Sequence, residues 1–300
     1  MPYHSVVLVK QVPDTANITG QAMKEDGTIN RAALPAVFNP EDLNALEMAL
    51  RVKEAYGGRV TVLTMGPPRA AEVLREALYR GADRVILLTD RKTAGSDTLA
   101  TSYVLKCAVE AIAERVEAWD LVFCGRQAID GDTAQVGPQV AEKLGLPQIT
   151  YAEEILSLGE GEIVARRALP LGTETVRCSL PCLLTVVGSA NVARPPNVRR
   201  MMAYKLAATP FEYPGLLQEW PEFESEETLD RYLSERDQKI LVWSASDVGA
   251  DYGRVGLAGS PTKVLNVDFV ALGSSDSKEV EESTEGLARM VQELIQDYIL

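Results

Sequence analysis

Short, wholly apolar runs alternate with longer amphipathic stretches through the first half of the chain. "HSVVLVKQV" (4–12), "RVTVLTMG" (59–66), "DRVILLTD" (83–90) and "DLVFCG" (120–125) are rich in β-branched residues and show no in–out alternation. Each predicts a strand covered on both faces. Between them lie stretches of helical period. In "NPEDLNALEMALRVKEAYGG" (39–58), Asn39 is placed to cap, Pro40 suits the first helical position, and Glu41 and Asp42 sit at the positive end of the dipole. Leu43, Leu46, Ala49 and Val52 then form one apolar face, and Gly57-Gly58 stops the helix. "PPRAAEVLREALYRGA", "SDTLATSYVLKCAVEAIAERV" and "TAQVGPQVAEKLG" repeat the scheme. Strand followed by helix, several times over, predicts an α/β fold with a doubly wound, mostly parallel sheet.

The pattern changes after Pro147. "AEEILSLGEGEIVARRALPLGTETVRCSLPCLLTVVG" has shorter strands and no intervening helix, which predicts an antiparallel hairpin addition to the sheet. "ESEETLDRYLSERD" predicts a short helix and "KILVWSA" a late strand. Residues 246–278 carry many glycines and serines and read as an extended C-terminal arm, closed by the amphipathic helix "EVEESTEGLARMVQELIQDYIL". Residues 15–34, with the Asp26-Gly27 pair, read as an excursion or small hairpin after the first strand.

Composition narrows the possible functions. A net charge of −13 over 300 residues argues against a nucleic-acid partner, whose phosphates demand clustered Lys and Arg. No apolar run reaches the roughly 18 residues of a membrane span, and the N-terminus lacks the pattern of a secretion signal, so a cytoplasmic location is expected. His4 is the single histidine, which removes His-based triads and multi-histidine metal sites. The four cysteines fit no zinc spacing, and the pair in "CSLPC" (178–182) lies in an apolar stretch where cysteine behaves as a small hydrophobe. Little side-chain catalysis is expected; the chemistry belongs to a bound molecule or to carboxylates.

In an open parallel sheet, ligands bind beyond the carboxyl ends of the strands, where strand order reverses. The longest loop there is "CGRQAIDGDTAQVGP" (124–138). It leads into a helix N-terminus, whose amides and dipole favour an anion. Gly131 permits a sharp turn, Ala134 permits close approach, Thr133 and Gln135 donate hydrogen bonds, and Arg126 adds a cation. Asp130 and Asp132 then cap the turn or accept from ribose hydroxyls. The same stretch also reads as a capped strand-to-helix connection and nothing more. Neither G-x-G-x-x-G nor G-x-x-x-x-G-K-[ST] is present, so a standard dinucleotide or Walker-type site is not expected.

Five ordered segments resemble a known family. "VLVKQVPDT", "FNPEDLNALEMALRVKE", "VTVLTMGPPRAAEVLREALYRGADRVILL", "DLVFCGRQAIDGDTAQVGPQVAEKLGLPQIT" and "TETVRCSLPCLLTVV" are similar to the beta subunit of electron transfer flavoprotein. The resemblance covers roughly residues 3–205 and weakly the arm near "VGLAGSPTKV". It implies an adenine-nucleotide-binding α/β domain paired with an alpha subunit that carries FAD. One branch of the family binds AMP as a structural ligand. The other binds a second FAD that takes a hydride from NADH and splits the electron pair between two acceptors. "VKQVPDT" and "DGDTAQVGP" resemble this electron-bifurcating branch, and the small Ala134 suits a dinucleotide.

By position, the resemblance assigns nucleotide contacts to Leu8, Asn39, Asp42 and Met65 and to the run Gly125, Arg126, Gln127, Ala128, Asp130, Gly131, Asp132, Thr133, Ala134, Gln135 and Val136. It makes "ARPPNVRRMMAYK" the loop that meets an acyl-CoA dehydrogenase-like or other oxidoreductase partner, with Val198 as anchor and Met201 and Met202 beside it. Core packing is the alternative for both methionines. "PLG" (170–172) departs from the family's hairpin, which carries an acidic residue and glycines. Two domains follow: residues 1–205 bind the nucleotide or flavin, and 206–300 form the arm and helix that pack on the alpha subunit. The competing reading is a nucleotide-sensing or hydrolysing protein on a similar fold, homodimeric and without redox function.

Overall fold

The structure is a computed structural model that describes residues 2–14, 35–262 and 279–296. The excursion expected over 15–34 and the arm beyond residue 262 lie outside the described residues. Residues up to 262 belong to one compact unit, and the helix α8 (Thr284–Gln296) belongs to another.

The four apolar runs become β1 (Tyr3–Val9), β4 (Gly58–Met65), β5 (Arg84–Leu88) and β6 (Leu121–Gly125). The chain passes from β1 through a small ladder, β2 (Gln11–Pro13) with β3 (Ala36–Phe38), into helix α1 (Pro40–Tyr56). Helices α2 (Ala71–Arg80) and α3 (Thr98–Arg115) connect the next strands, and α4 (Val136–Leu144) leaves β6. There follow β7 (Gln148–Gly159), β8 (Glu162–Leu169), β9 (Gly172–Ser179) and β10 (Cys182–Val186). Short helices α5 (Val198–Tyr204), α6 (Tyr213–Glu219) and α7 (Glu226–Ser234) precede the edge strand β11 (Leu241–Trp243).

Among the described residues the main sheet runs β11-β5-β4-β1-β6-β10-β7-β8-β9. All pairs from β11 to β7 are parallel, and β7-β8 and β8-β9 are antiparallel. The α/β class and the hairpin addition are therefore as the sequence predicts. The placement of β10 is not: after the antiparallel excursion the chain returns as a parallel strand between β6 and β7.

Each face of the sheet has its own core. Val7, Val62, Leu87 and Phe123 point toward α1 and α2, where they meet Leu46, Ala49 and Leu74. Val6, Leu63, Ile86 and Val122 point the other way, toward Val104, Ala108 and Ile112 of α3 and Val140 of α4. Full burial of such side chains contributes about 1.5–3 kcal/mol each, which is why strands without alternation end up in the middle of the sheet. Residues 206–262, grouped by sequence with the arm, join the first unit: β11 pairs with β5, and Ala245, Val248, Ala250 and Val255 complete the second core. His4 is buried, with Nδ1 2.8 Å from the Ala118 carbonyl and Nε2 2.8 Å from Thr61 Oγ1. Of the "CSLPC" pair, Cys182 is fully buried at the start of β10 and Cys178 is half-buried on β9. The "PLG" hairpin closes with Leu169 opposite Gly172, which adopts φ +151°.

Candidate functional site at the switch point

The next strand of the main sheet after β1, β4, lies on one side of it, and β6 lies on the other. The strand order therefore reverses between β1 and β6, and in doubly wound sheets ligands bind beyond the carboxyl ends of the strands at such a point. Three segments meet there: the β1–β2 link at Lys10, the first turn of α1, and the loop from Gly125 to Val136.

The first turn of α1 grips the exit of β6 residue by residue. Asp42 Oδ1 accepts from the Gly125 amide at 2.9 Å, and Oδ2 accepts from the Lys10 amide at 2.8 Å. Glu41 accepts from the Gln127 amide at 3.0 Å and from the Arg126 guanidinium at 2.9 Å. The Asn39 side chain was expected to cap α1. It makes no such bond and is spent on the loop, donating to the Gln127 carbonyl at 2.9 Å and accepting from the Ile129 amide at 3.1 Å. Gly125 permits this grip, because a Cβ there would meet Asp42 Oδ1 at 2.5 Å and the Glu41 carbonyl carbon at 2.7 Å.

Electrostatics follow from these contacts. Asp42 is fully enclosed, and burial pushes its carboxyl up to about 7 against the pull of the amides, Asn39 and Lys10. Burial also pushes the Cys124 thiol up, and the Asp42 charge adds to it. Arg126 is held above the usual guanidinium range chiefly by Glu41, and its guanidinium carbon lies 5.6 Å from the centre of the Tyr151 ring. Lys10 Nζ binds both oxygens of Asp130 at 2.7 Å. Asp132 accepts from the Gln127 side chain at 2.9 Å. Both aspartates of the loop thus have protein partners, and so do both nearby cations.

Beyond Asp130 the loop changes character. The sequence places the sharp turn at Gly131, but the left-handed residues are Asp132 (φ +49°) and Ala134 (φ +52°). Left-handed backbone outside glycine costs about 1–2 kcal/mol per residue, and such strain clusters at ligand sites. The amides of Thr133, Ala134, Gln135, Val136 and Gly137 have no acceptor among the described residues, and α4 has no acidic residue in its first turn. Gln135 Oε1 accepts from Thr98 at 2.9 Å. The helix start leans tightly on the sheet, since a Cβ on Gly137 would lie 2.7 Å from Cys124 Sγ. A row of free amides beside cations already neutralised suits an anionic group held by backbone donors.

Not every residue assigned by position converges on this row. Leu8 is buried near the end of β1, opposite Cys124 of β6. Met65 ends β4 and is half-buried, and Ala128 accepts the amides of Gly131 and Asp132. Lys10, Glu41, Thr98 and Tyr151 were not assigned to the site by sequence; Lys10 and Glu41 could have been found as opposite charges flanking the same strand ends. On α5, Val198 is 73% exposed and Met202 62%, so the core-packing reading of Met202 does not hold. The segment is tied down on both sides of Val198: Arg194 binds Glu47 and Glu54, and Arg200 on α5 donates to the carbonyls of Leu78 and Ala82. Among the described residues no cluster of His, Cys, Asp and Glu is arranged to hold a metal, and no helix is long and apolar enough to cross a membrane.

The fold defines an α/β protein with a doubly wound sheet, and the unpaired amides at its carboxyl edge make the strand-order switch point the candidate site. Residues 26–210 match the electron transfer flavoprotein domain. The chain is 39% identical to an electron transfer flavoprotein subunit beta of Clostridium acetobutylicum, over 96% of this chain and 93% of that protein. It is 44% identical to Protein FixA of Azorhizobium caulinodans, over 88% and 83% of the two chains. It is also 48% identical to the acryloyl-CoA reductase electron transfer subunit gamma of Anaerotignum propionicum, over 60% and 66%. The chain belongs to the electron transfer flavoprotein family.

Proposed function

We propose that the chain is the beta subunit of an electron transfer flavoprotein and that its switch-point loop holds the diphosphate of FAD. The observation that carries this reading is the row of unpaired amides from Thr133 to Gly137, at a helix start free of acidic residues. Thr133 and Gln135 add side-chain donors, and Ala134 leaves space beside the backbone. Bound FAD supplies hydride and electron transfer. The protein positions the cofactor: Asn39, Glu41 and Asp42 fix the loop, and the Glu41–Arg126 pair keeps a cation beside the site without leaving it free. Leu8 and Met65 flank the switch point from β1 and β4. An alpha subunit carrying its own FAD completes the carrier, and NADH is the donor in the electron-bifurcating form. Exposed Val198, Met201 and Met202 form the docking surface for an acyl-CoA dehydrogenase-like or other oxidoreductase partner, with methionine supplying an adaptable apolar contact. Of the residues grouped by sequence with the arm, only those beyond residue 262 remain as the part that packs on the alpha subunit, since 206–262 belong to the first unit.

Denaturing the purified native complex and identifying what it releases tests the reading. Two FAD per heterodimer support it. AMP with one FAD moves the chain to the branch with a structural nucleotide. A colourless homodimer that binds ATP sinks the redox assignment and favours a nucleotide-sensing or hydrolysing protein.

A further inference from the structure

We propose that Asp42, assigned by resemblance as a nucleotide contact, is instead the positioning residue of the nucleotide loop: it ties the ends of β1 and β6 together and sets the loop's first residue without touching the nucleotide. The proposal rests on the nucleotide site proposed above. Asp42 is only 6% exposed, and both carboxylate oxygens are spent on backbone amides, one from each side of the point where the strand order reverses. No side chain without two acceptor oxygens at this reach can serve both amides. The link is short because Gly125 admits it. From this anchor the loop runs through further contacts with the same helix turn, at residues 126, 127 and 129, before reaching the free amides.

The geometry makes the anchor sensitive to protonation. A proton on either oxygen turns it into a hydroxyl, a poorer acceptor for the amide N–H that faces it, so the ionised form holds both strands more firmly than the neutral form. Burial places the midpoint at about 7. The charged and titratable groups around it are few: Lys10 on the β1–β2 link, Glu41 beside it on α1, Cys124 on β6, and Arg126 and Asp130 on the loop. Glu41 pairs with Arg126 and Asp130 with Lys10, and even so paired, Lys10 is the charged group that pulls the Asp42 carboxyl down. A nucleotide that selects the loop in its held form binds the ionised state, so its affinity rises as pH rises through 7, and by reciprocity its binding lowers the Asp42 midpoint.

The experiment uses the alpha–beta complex stripped of nucleotide, with FAD and AMP as probes, between pH 6 and pH 8. Wild type should tighten by about fivefold to tenfold across this range. Asp42→Asn, which presents an NH2 to one of the two amides, should bind roughly tenfold more weakly and show no such pH dependence. Equal affinity and an equal pH profile in both proteins, or affinity that falls with pH in wild type, overturns the proposal. If the variant does not fold, a carbon-13 titration of the Asp42 carboxyl in wild type decides: the midpoint drops on loading with FAD or AMP, and a fixed or rising midpoint overturns it. If wild type binds neither probe, the nucleotide reading has failed, and hydrogen exchange still tests the anchor. Protection of the Gly125 and Lys10 amides that grows with Asp42 ionisation supports it, and protection indifferent to pH refutes it.

Discussion

Two helices begin at the same edge of the sheet, and their first turns are opposite in character. α1 opens with Glu41 and Asp42, and both carboxylates are consumed by amides and a guanidinium of the neighbouring loop. α4 opens without an acidic residue, after two strained left-handed positions, and its first amides meet no acceptor among the described residues. The macrodipole presents comparable partial positive charge at both. One end is neutralised by the protein itself, which makes it a clamp. The other keeps its amides unpaired, which makes it the candidate site for a charge from outside. An acidic chain can therefore build an anion pocket without adding lysines, because it needs only to withhold carboxylates from one helix start.

The largest expected effect comes from breaking the clamp. Gly125→Ala forces a Cβ to within 2.5 Å of Asp42 Oδ1 and 2.8 Å of the Asp42 amide nitrogen, atoms fixed by helix and backbone. Overpacking of this kind costs about 1–3 kcal/mol, enough to lower the melting temperature by several degrees in a chain of this size. Bound nucleotide should be lost with it. Gly131→Ala is the control at the far end of the same loop, since nothing lies within 4 Å of its added Cβ and its φ is not left-handed. It should change stability by less than about 0.5 kcal/mol. Equal melting temperatures for the two variants would show that the clamp does not hold.

That contrast also marks how far the sequence was legible. The βαβ units could be read because buried parallel strands lack alternation and because Gly and Pro punctuate them. The loop could be located because it follows an apolar run and precedes a helix. Its inner working could not be read. Gly131 looked like the flexible residue, but the positions with no room for a Cβ are Gly125 and Gly137, for reasons that exist only once α1 and α4 lie against the sheet. Asn39 looked like a cap because its neighbours fit a helix start, while its actual partners are 88 and 90 residues away. The position of β10 was hidden for the same reason: it pairs with β6 and β7 through backbone groups that leave no local mark.

A second test converts the open helix start into a copy of the closed one. Gln135→Glu is nearly isosteric and keeps an acceptor for Thr98. A carboxylate at this place satisfies the α4 dipole, which favours folding by about 0.3–1 kcal/mol. The same carboxylate repels an anionic ligand, and affinity for FAD or AMP should fall about tenfold, or 1.4 kcal/mol. Calorimetric binding and thermal melting on one preparation should therefore move in opposite directions. A joint rise, or a joint fall, would mean that the amides of residues 133–137 do not meet the ligand's negative charge.

The smallest effect concerns the strain that shapes the open end. Ala134 holds φ +52°, where alanine is disfavoured by about 1–2 kcal/mol and glycine is not. Ala134→Gly removes that strain but adds conformational freedom to the unfolded chain, which offsets roughly 0.4–1 kcal/mol of the gain. The net should be a stabilisation of about 0.5 kcal/mol, read as a small rise in melting temperature. Nucleotide affinity should drop slightly over the same substitution, because a glycine loop must be ordered on binding while the alanine loop is already held. A variant that melts lower and binds as tightly as wild type would show that the left-handed turn is an incidental consequence of entering α4 and does not preorganise the amides for a ligand.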